Sequence, residues 1–220
     1  LPDVHLFLAS PSPFMEERIE TTSDTMADLE ISPWTFKRHQ RVWICVKRTI
    51  DVFGALIGII LLCIPMVICA IITKCTSKGP VLFRQKRIGL NGKPFTLIKF
   101  RSMRVDAPNV APSDITAKQQ SAMETKWGKF MRKTSLDEIP QLFNIFIGDM
   151  SFIGPRPGQD EEHEGELLRE RLSYTPNAYD VRPGISGFAI LRMHRQHDPK
   201  LKAALDSYYV RHLSIWMDAK

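Results

Sequence analysis

The stretch VFGALIGIILLCIPMVICAIIT, residues 52–73, contains no charged side chain. At about 22 residues it is long enough for a membrane-crossing helix. Two features argue against a simple crossing. Pro65 lies past its middle, where a proline removes a backbone donor and kinks or breaks a helix. Basic residues crowd both ends: Lys37, Arg38, Arg41, Lys47 and Arg48 precede the run, with Trp34 and Trp43 among them, and Lys74, Lys78, Arg84, Lys86 and Arg87 follow it. Tryptophan and cations mark a membrane interface, and the positive-inside rule puts both flanks in the cytoplasm. A re-entrant helix hairpin, entering one leaflet, turning at Pro65 and leaving on the same side, satisfies both observations. A straight span and a buried core helix are the alternatives.

Around this run the chain divides into an N-terminal polar segment (1–40), the membrane helix (41–78) and a cytoplasmic domain (79–220). The N-terminal segment lacks the ordered basic, apolar and small-residue regions of a signal peptide, and a chain beginning with Leu1 reads as a fragment. The formal net charge is +6, which suits nucleic acid, an anionic membrane or a phosphorylated substrate. The four cysteines, Cys45, Cys63, Cys69 and Cys75, form no CxxC pair and lie in or beside the apolar run. They point to neither zinc nor a disulfide framework.

Beyond Gly79-Pro80, Val81–Gln85 reads as a strand, Asn91-Gly92 as a hairpin turn and Phe95–Phe100 as the return strand. Lys99 and Arg101 give this hairpin cations suited to phosphate groups or headgroups; a solvated basic face is the alternative. Residues 105–116 read as a Pro-rich loop, and Ala117–Met131 as a helix that delivers Arg132 and Lys133 to the acidic pair Asp137-Glu138. Ser135 and Glu138 have the spacing of a capping box, so a helix is expected to start there and run towards Gly148. Asp137 would lie in its first turn, where the helix dipole depresses a carboxylate pKa. Such a carboxylate could act as nucleophile or metal ligand; an ordinary helix cap is the plainer reading.

Gly154-Pro155-Arg156-Pro157-Gly158 is a stiff loop presenting an arginine, suited to phosphate recognition. Val181–Phe188 is a second such loop, around Arg182. Residues 160–171 read as an exposed acidic helix with no chemistry. His163, His194, His197 and His212 show no metal-binding spacing. Leu201–Trp216 reads as an aromatic, cationic amphipathic helix, fit either for a membrane interface or for the core.

Taken together, these blocks resemble the bacterial sugar transferases, the monotopic phosphoglycosyl transferases. The resemblance rests on Lys47–Asp51, the apolar run with Pro65, Gly79–Gln85, Lys99–Met103, Arg132–Leu142, Gly148–Pro157 and Val181–Gly187, over roughly residues 45–216. It implies an α/β, mostly helical, monotopic membrane protein with a re-entrant helix hairpin, a small β-hairpin and interfacial amphipathic helices. It implies transfer of a sugar-1-phosphate from a nucleotide diphosphate sugar, usually a UDP-sugar, to polyprenol (undecaprenyl) phosphate, with release of UMP. Such a step initiates exopolysaccharide, capsule, O-antigen or glycoconjugate synthesis at the cytoplasmic face of the bacterial inner membrane. Asp137 matches the nucleophile that forms a covalent phosphosugar intermediate, and Glu138 its partner in metal or proton handling. Mg2+ is the implied cofactor, held by this pair. Arg132 and Arg156 match arginines at the phosphates, and Lys99, Arg101 and Arg182 fall within substrate-binding blocks. Membrane lipids are implied partners, nucleic acid is not, and a homo-oligomer stays open. Two departures stand out: Ile64 replaces a small polar residue before the proline, and Phe188-Ala189-Ile190 replaces Trp-Ala-Gln. A non-catalytic membrane adaptor is the rival reading, with a nucleic-acid-binding protein behind it.

Overall fold

The computed structural model describes residues 34–105, 107, 123–159, 161–193 and 198–219. Most of the expected N-terminal segment and of the Pro-rich loop, the start of the Ala117–Met131 helix, and His194 and His197 lie outside the described residues. In chain order the elements are α1 (Arg38–Thr76), β1 (Leu82–Ile88), β2 (Pro94–Phe100), α2 (Lys126–Lys133), α3 (Gln141–Ile147), β3 (Ser151–Ile153), α4 (Glu161–Leu172), β4 (Gly184–Ser186), α5 (Phe188–Arg192), α6 (Pro199–Arg211) and α7 (Ile215–Ala219). They form two compact units. One contains the chain up to Thr49, Arg87–Phe95 and everything from Ser151 onward; the other contains Ile50–Lys86 and Thr96–Met150.

In the second unit the apolar run forms part of α1, which is long and apolar enough to cross a membrane by length and composition. The helix is continuous through Pro65, so the break expected at that residue is not present as a loss of helix. Its two faces differ. Ile57, Ile60, Leu61, Ile64, Val67, Ile68 and Ile71 recur at three- and four-residue spacing and are exposed, Leu61 by 71%. An apolar helix face without protein cover suits hydrocarbon rather than water. The opposite face carries buried Ala55, Cys69 and Thr73. Cys69 packs with Phe100 of β2 and Met131 of α2, flanked by Met66, Leu82, Trp127 and Leu136. Trp127 donates its indole N–H to the Thr73 hydroxyl at 3.2 Å.

β1 and β2 form the expected hairpin. Its connection is longer than a two-residue turn: Leu90–Gly92 make a 3-10 turn, with Asn91 and Gly92 both at positive φ, 55° and 71°. Asparagine and glycine tolerate that region best, which is why this pair marked the turn.

In the first unit β3 and β4 pair in parallel, Ser151 opposite Gly184 and Ile153 opposite Ser186. Two adjoining clusters lie nearby: Val181, Tyr209, Val210 and Leu213, with Trp43 and Phe188 against them, and Ala189, Met193 and Leu205. The expected amphipathic tail is two helices, α6 and α7, interrupted at His212–Ser214. Tyr209 and Val210 are buried, while Trp216 is 76% exposed. Asp218 ties α7 to the first turns of α1, accepting from Lys47 at 2.5 Å, the Trp43 indole at 3.0 Å and the Tyr209 hydroxyl at 2.6 Å.

Candidate active site

The acidic pair sits in the second unit, between α2 and α3. Thr125 caps α2, its hydroxyl accepting from the Gly128 N–H at 2.8 Å. α2 lies directly on the segment that follows β2: a Cβ on Gly128 would stand 1.8 Å from the Ser102 carbonyl oxygen. Glycine is the residue that permits this approach. The contact brings Arg132, in the last turn of α2, to Ser102. Its Nε donates to Ser102 Oγ and its Nη1 to Glu124 Oε1, both at 2.9 Å. Arg132 is therefore held at both ends of its guanidinium fork.

After α2 the chain departs from the expected capping box. Ser135 lies in the left-handed region at φ 57° and its side chain caps nothing. The Glu138 N–H instead bonds the Ser135 carbonyl at 3.2 Å. Leu136–Glu138 form a 3-10 turn, and α3 begins only at Gln141, after Pro140. The physical reason lies in backbone conformation, since an N-cap serine needs extended φ/ψ to reach forward with its oxygen. This turn buries Asp137, which is 6% exposed, and leaves Glu138 half-buried.

Burial also reverses the expected titration. The Asp137 pKa is raised above its ordinary value, because desolvation outweighs the pull of Lys99, Arg132 and its own backbone N–H; Glu124 adds to the rise. A charge removed from water costs more than a helix end returns. Asp137 is thus a desolvated carboxyl facing two cations. Lys99 is half-buried on β2, its ammonium 5.1 Å from the centre of the Phe83 ring. Among the described residues there is no cluster of three or more His, Cys, Asp or Glu side chains able to cage a metal. Two adjacent carboxylates are nevertheless an appropriate protein share for Mg2+, which keeps waters and takes phosphate oxygens for the rest of its shell.

Arg101 is placed differently from Arg132. It is buried, and its guanidinium donates to the Lys78 and Ser77 carbonyls at 2.6 and 2.9 Å. It secures the chain after α1. Asn144, which sequence reading passed over, is fully buried in α3. Its side chain accepts from the Ile98 N–H at 3.1 Å and donates to the Thr96 carbonyl at 2.8 Å and to Asp149 Oδ2 at 3.2 Å. It clamps the helix after the acidic pair to the strand carrying Lys99. The available signal was an amide between Phe143 and Ile145, in a helix whose one other polar side chain is Gln141 at its start.

The two remaining arginines belong to the first unit. Arg156 is exposed and Arg182 half-buried. Their loops pack backbone against backbone: a Cβ on Gly154 would stand 2.5 Å from the Arg182 carbonyl oxygen, and one on Gly187 would stand 2.0 Å from the Gly154 carbonyl oxygen. From residue 161 the acidic stretch is helical as expected, yet not simply exposed: Leu167, Leu168 and Arg171 of α4 are buried.

The family model for bacterial sugar transferases matches residues 42–220. The chain belongs to the bacterial sugar transferase family. A Klebsiella pneumoniae relative, "UDP-glucose:undecaprenyl-phosphate glucose-1-phosphate transferase", is 38% identical over 79% of this chain and 38% of its own length. An Aeromonas hydrophila "UDP-N-acetylgalactosamine-undecaprenyl-phosphate N-acetylgalactosaminephosphotransferase" is 37% identical over 80% of this chain and 42% of its own length. The Rhizobium leguminosarum bv. phaseoli "exopolysaccharide production protein PSS" is 36% identical over 80% of this chain and 90% of its own length. This sugar transferase chain thus spans less than half of the first two relatives and nearly all of the third.

Proposed function

We propose that this chain transfers a sugar-1-phosphate from a nucleotide diphosphate sugar, most simply a UDP-sugar, to polyprenol (undecaprenyl) phosphate. The observation that carries the proposal is a buried carboxyl, Asp137, under the electrostatic pull of Lys99 and Arg132 in a unit that includes the apolar part of α1. Asp137 attacks the phosphorus that bears the sugar. The bond from that phosphorus to the nucleotide's phosphate oxygen breaks, and the nucleoside monophosphate leaves with the electron pair. A phosphate oxygen of the lipid then attacks the aspartyl phosphosugar, forming the lipid diphosphate sugar and returning the Asp137 carboxylate. Phosphoryl transfer of this kind depends on positioning and charge stabilisation more than on nucleophilic strength. Arg132 supplies a fixed cation and Lys99 a second; Arg156 and Arg182 are assigned to the donor's phosphates on the family resemblance alone. Glu138 shares metal or proton handling with Asp137. Asp137 and Glu138 would hold Mg2+, which supplies charge neutralisation to the diphosphate when bound. The names of two relatives support a UDP-sugar and undecaprenyl phosphate as substrates, and that of the third supports exopolysaccharide production as the setting.

The membrane reading rests on α1. Leu142 packs at Gly58 and Trp127 at Thr73, and these α1 positions are about 22 Å apart along a helix axis. A straight crossing would carry α2, α3 and the charges of Asp137, Lys99 and Arg132 into a hydrocarbon core about 30 Å thick. Each charge costs about 3 kcal/mol or more there. A shallow, re-entrant placement at the cytoplasmic face of the bacterial inner membrane keeps the charged site at headgroup depth. Cysteine labelling that put residues just before Asp51 and just after Lys74 on opposite sides of the bilayer would sink this topology.

The deciding experiment measures nucleoside monophosphate release from a panel of nucleotide diphosphate sugars with Mg2+ and undecaprenyl phosphate. Release with one donor, lost in Asp137→Asn, is expected. Equal release by the variant would show a different nucleophile. No release by folded, membrane-bound protein would favour a non-catalytic adaptor.

A further inference from the structure

The Arg156 loop is held by its main chain at nearly every residue. The Gly154 N–H bonds the Ser186 carbonyl at 2.8 Å, and the Pro155 carbonyl accepts from Gly184 at 2.9 Å. The Pro157 carbonyl accepts from Arg87 at 3.4 Å, the Gly158 carbonyl from the Ile88 N–H at 2.9 Å, and the Gln159 N–H bonds Glu164 at 3.0 Å. The Arg156 carbonyl itself is held by Arg171, whose Nη2 donates to it at 3.0 Å.

Arg171 does this from the interior. It is 1% exposed and pairs with equally buried Asp206 of α6, donating from Nε at 2.9 Å and from Nη2 at 2.6 Å. Its guanidinium lies 5.6 Å from the Tyr179 ring centre. Gly158 fits closely over the pair: a Cβ there would stand 2.8 Å from the Tyr179 hydroxyl and 3.2 Å from Arg171 Nη1. A buried ion pair is a poor device for stability, since apolar replacement of both partners is often neutral or stabilising. Here one arm of the guanidinium is spent on the backbone of the single exposed residue in the loop.

We propose that Arg171, held by Asp206, is a positioning residue that fixes Arg156 for the phosphates of the donor. The inference rests on Arg156 meeting those phosphates, as proposed above. A loop held at its carbonyl keeps a long side chain's origin in place, and a displacement of about 1 Å at a reacting group costs about 100-fold.

The test is a thermodynamic cycle in the full chain, read as kcat/KM for monophosphate release and as melting temperature. Arg171→Met with Asp206→Leu removes the pair without leaving a lone charge. The expected result is a melting temperature within about 5 °C of wild type and kcat/KM lowered by about 100-fold. Placed on Arg156→Ala, the same double change is expected to cost less than about 3-fold, because the residue it positions is gone. Equal losses in both backgrounds would overturn the proposal, as would full activity with Arg156 present. If Arg156→Ala alone leaves kcat/KM unchanged, the phosphate role of Arg156 fails first, and the positioning role falls with it. Should the double variant not fold, Arg171→Lys, which keeps the charge opposite Asp206 but loses the planar fork, carries the same cycle with the same non-additivity expected.

Discussion

Replacing Asn144 with alanine should destabilise the unit that holds the acidic pair. The amide is fully buried and makes three hydrogen bonds, to the Ile98 N–H, the Thr96 carbonyl and Asp149. Alanine leaves the two backbone groups, whose bonds to Asn144 are part-buried, without their partner. Each orphaned buried group costs about 1–3 kcal/mol, so about 3 kcal/mol is a moderate sum. For a chain of this size that corresponds to about 6–12 °C in melting temperature. Asn144→Asp keeps the acceptor for Ile98 but turns a carboxylate oxygen towards the Thr96 carbonyl and the Asp149 carboxylate. It should be at least as damaging at pH 8, and adding Asp149→Asn should recover part of the loss. The assay is thermal unfolding of detergent-solubilised protein, with monophosphate release measured in parallel. Because Lys99 follows Ile98 in β2, activity should fall with stability. Melting of Asn144→Ala within about 2 °C of wild type would refute the argument that this side chain ties α3 to β2.

Gly128→Ala should cost activity by more than about 10-fold, through displacement of α2 and loss of the Arg132–Ser102 contact, because its Cβ would meet backbone at 1.8 Å. Gly58→Ala is the control: its Cβ meets the flexible Leu142 side chain at 3.1 Å, and unfolding should shift little. Without added metal, Asp137→Asn should melt higher than wild type at pH 7.5. The raised pKa means that the folded state holds the proton more tightly, so the stabilising share is present below the ordinary carboxylate range and lost as pH rises through the folded value. The advantage of the variant should therefore vanish near pH 3. Lys202 runs the other way. Burial, aided by Arg171, lowers its pKa from 10.5 to about 8, so its charge costs stability below pH 8 and the cost fades towards pH 10.5. Lys202→Met should raise the melting temperature at pH 7 and make no difference near pH 10.5.

How much of this was legible in sequence depended on how local the signal was. The uncharged run at 52–73, the Asn91-Gly92 turn and the proline- and glycine-bracketed arginines speak through composition and backbone preference within a few residues. The order of those blocks sufficed for the family. The Ser135–Glu138 spacing misled because a capping box is read from side chains, whereas Ser135 takes a left-handed backbone that no neighbouring residue announces. Arg101 and Arg132 read alike as cations near the site. One closes the carbonyls after α1, and the other is aimed by Ser102 and Glu124. The stretch at 160–171 read as a solvated acidic face because Arg171 finds Asp206 only 35 residues further on.

By itself, then, the sequence determined what had to be kept from water and where the chain turns, since hydrophobic burial and φ/ψ preference act residue by residue. Only the tertiary structure decided the protonation energetics of Asp137, the clamp at Asn144 and the buried pair behind Arg156. Each of these depends on desolvation or on hydrogen bonds between segments distant in the chain, and such energies exist only once those segments have met.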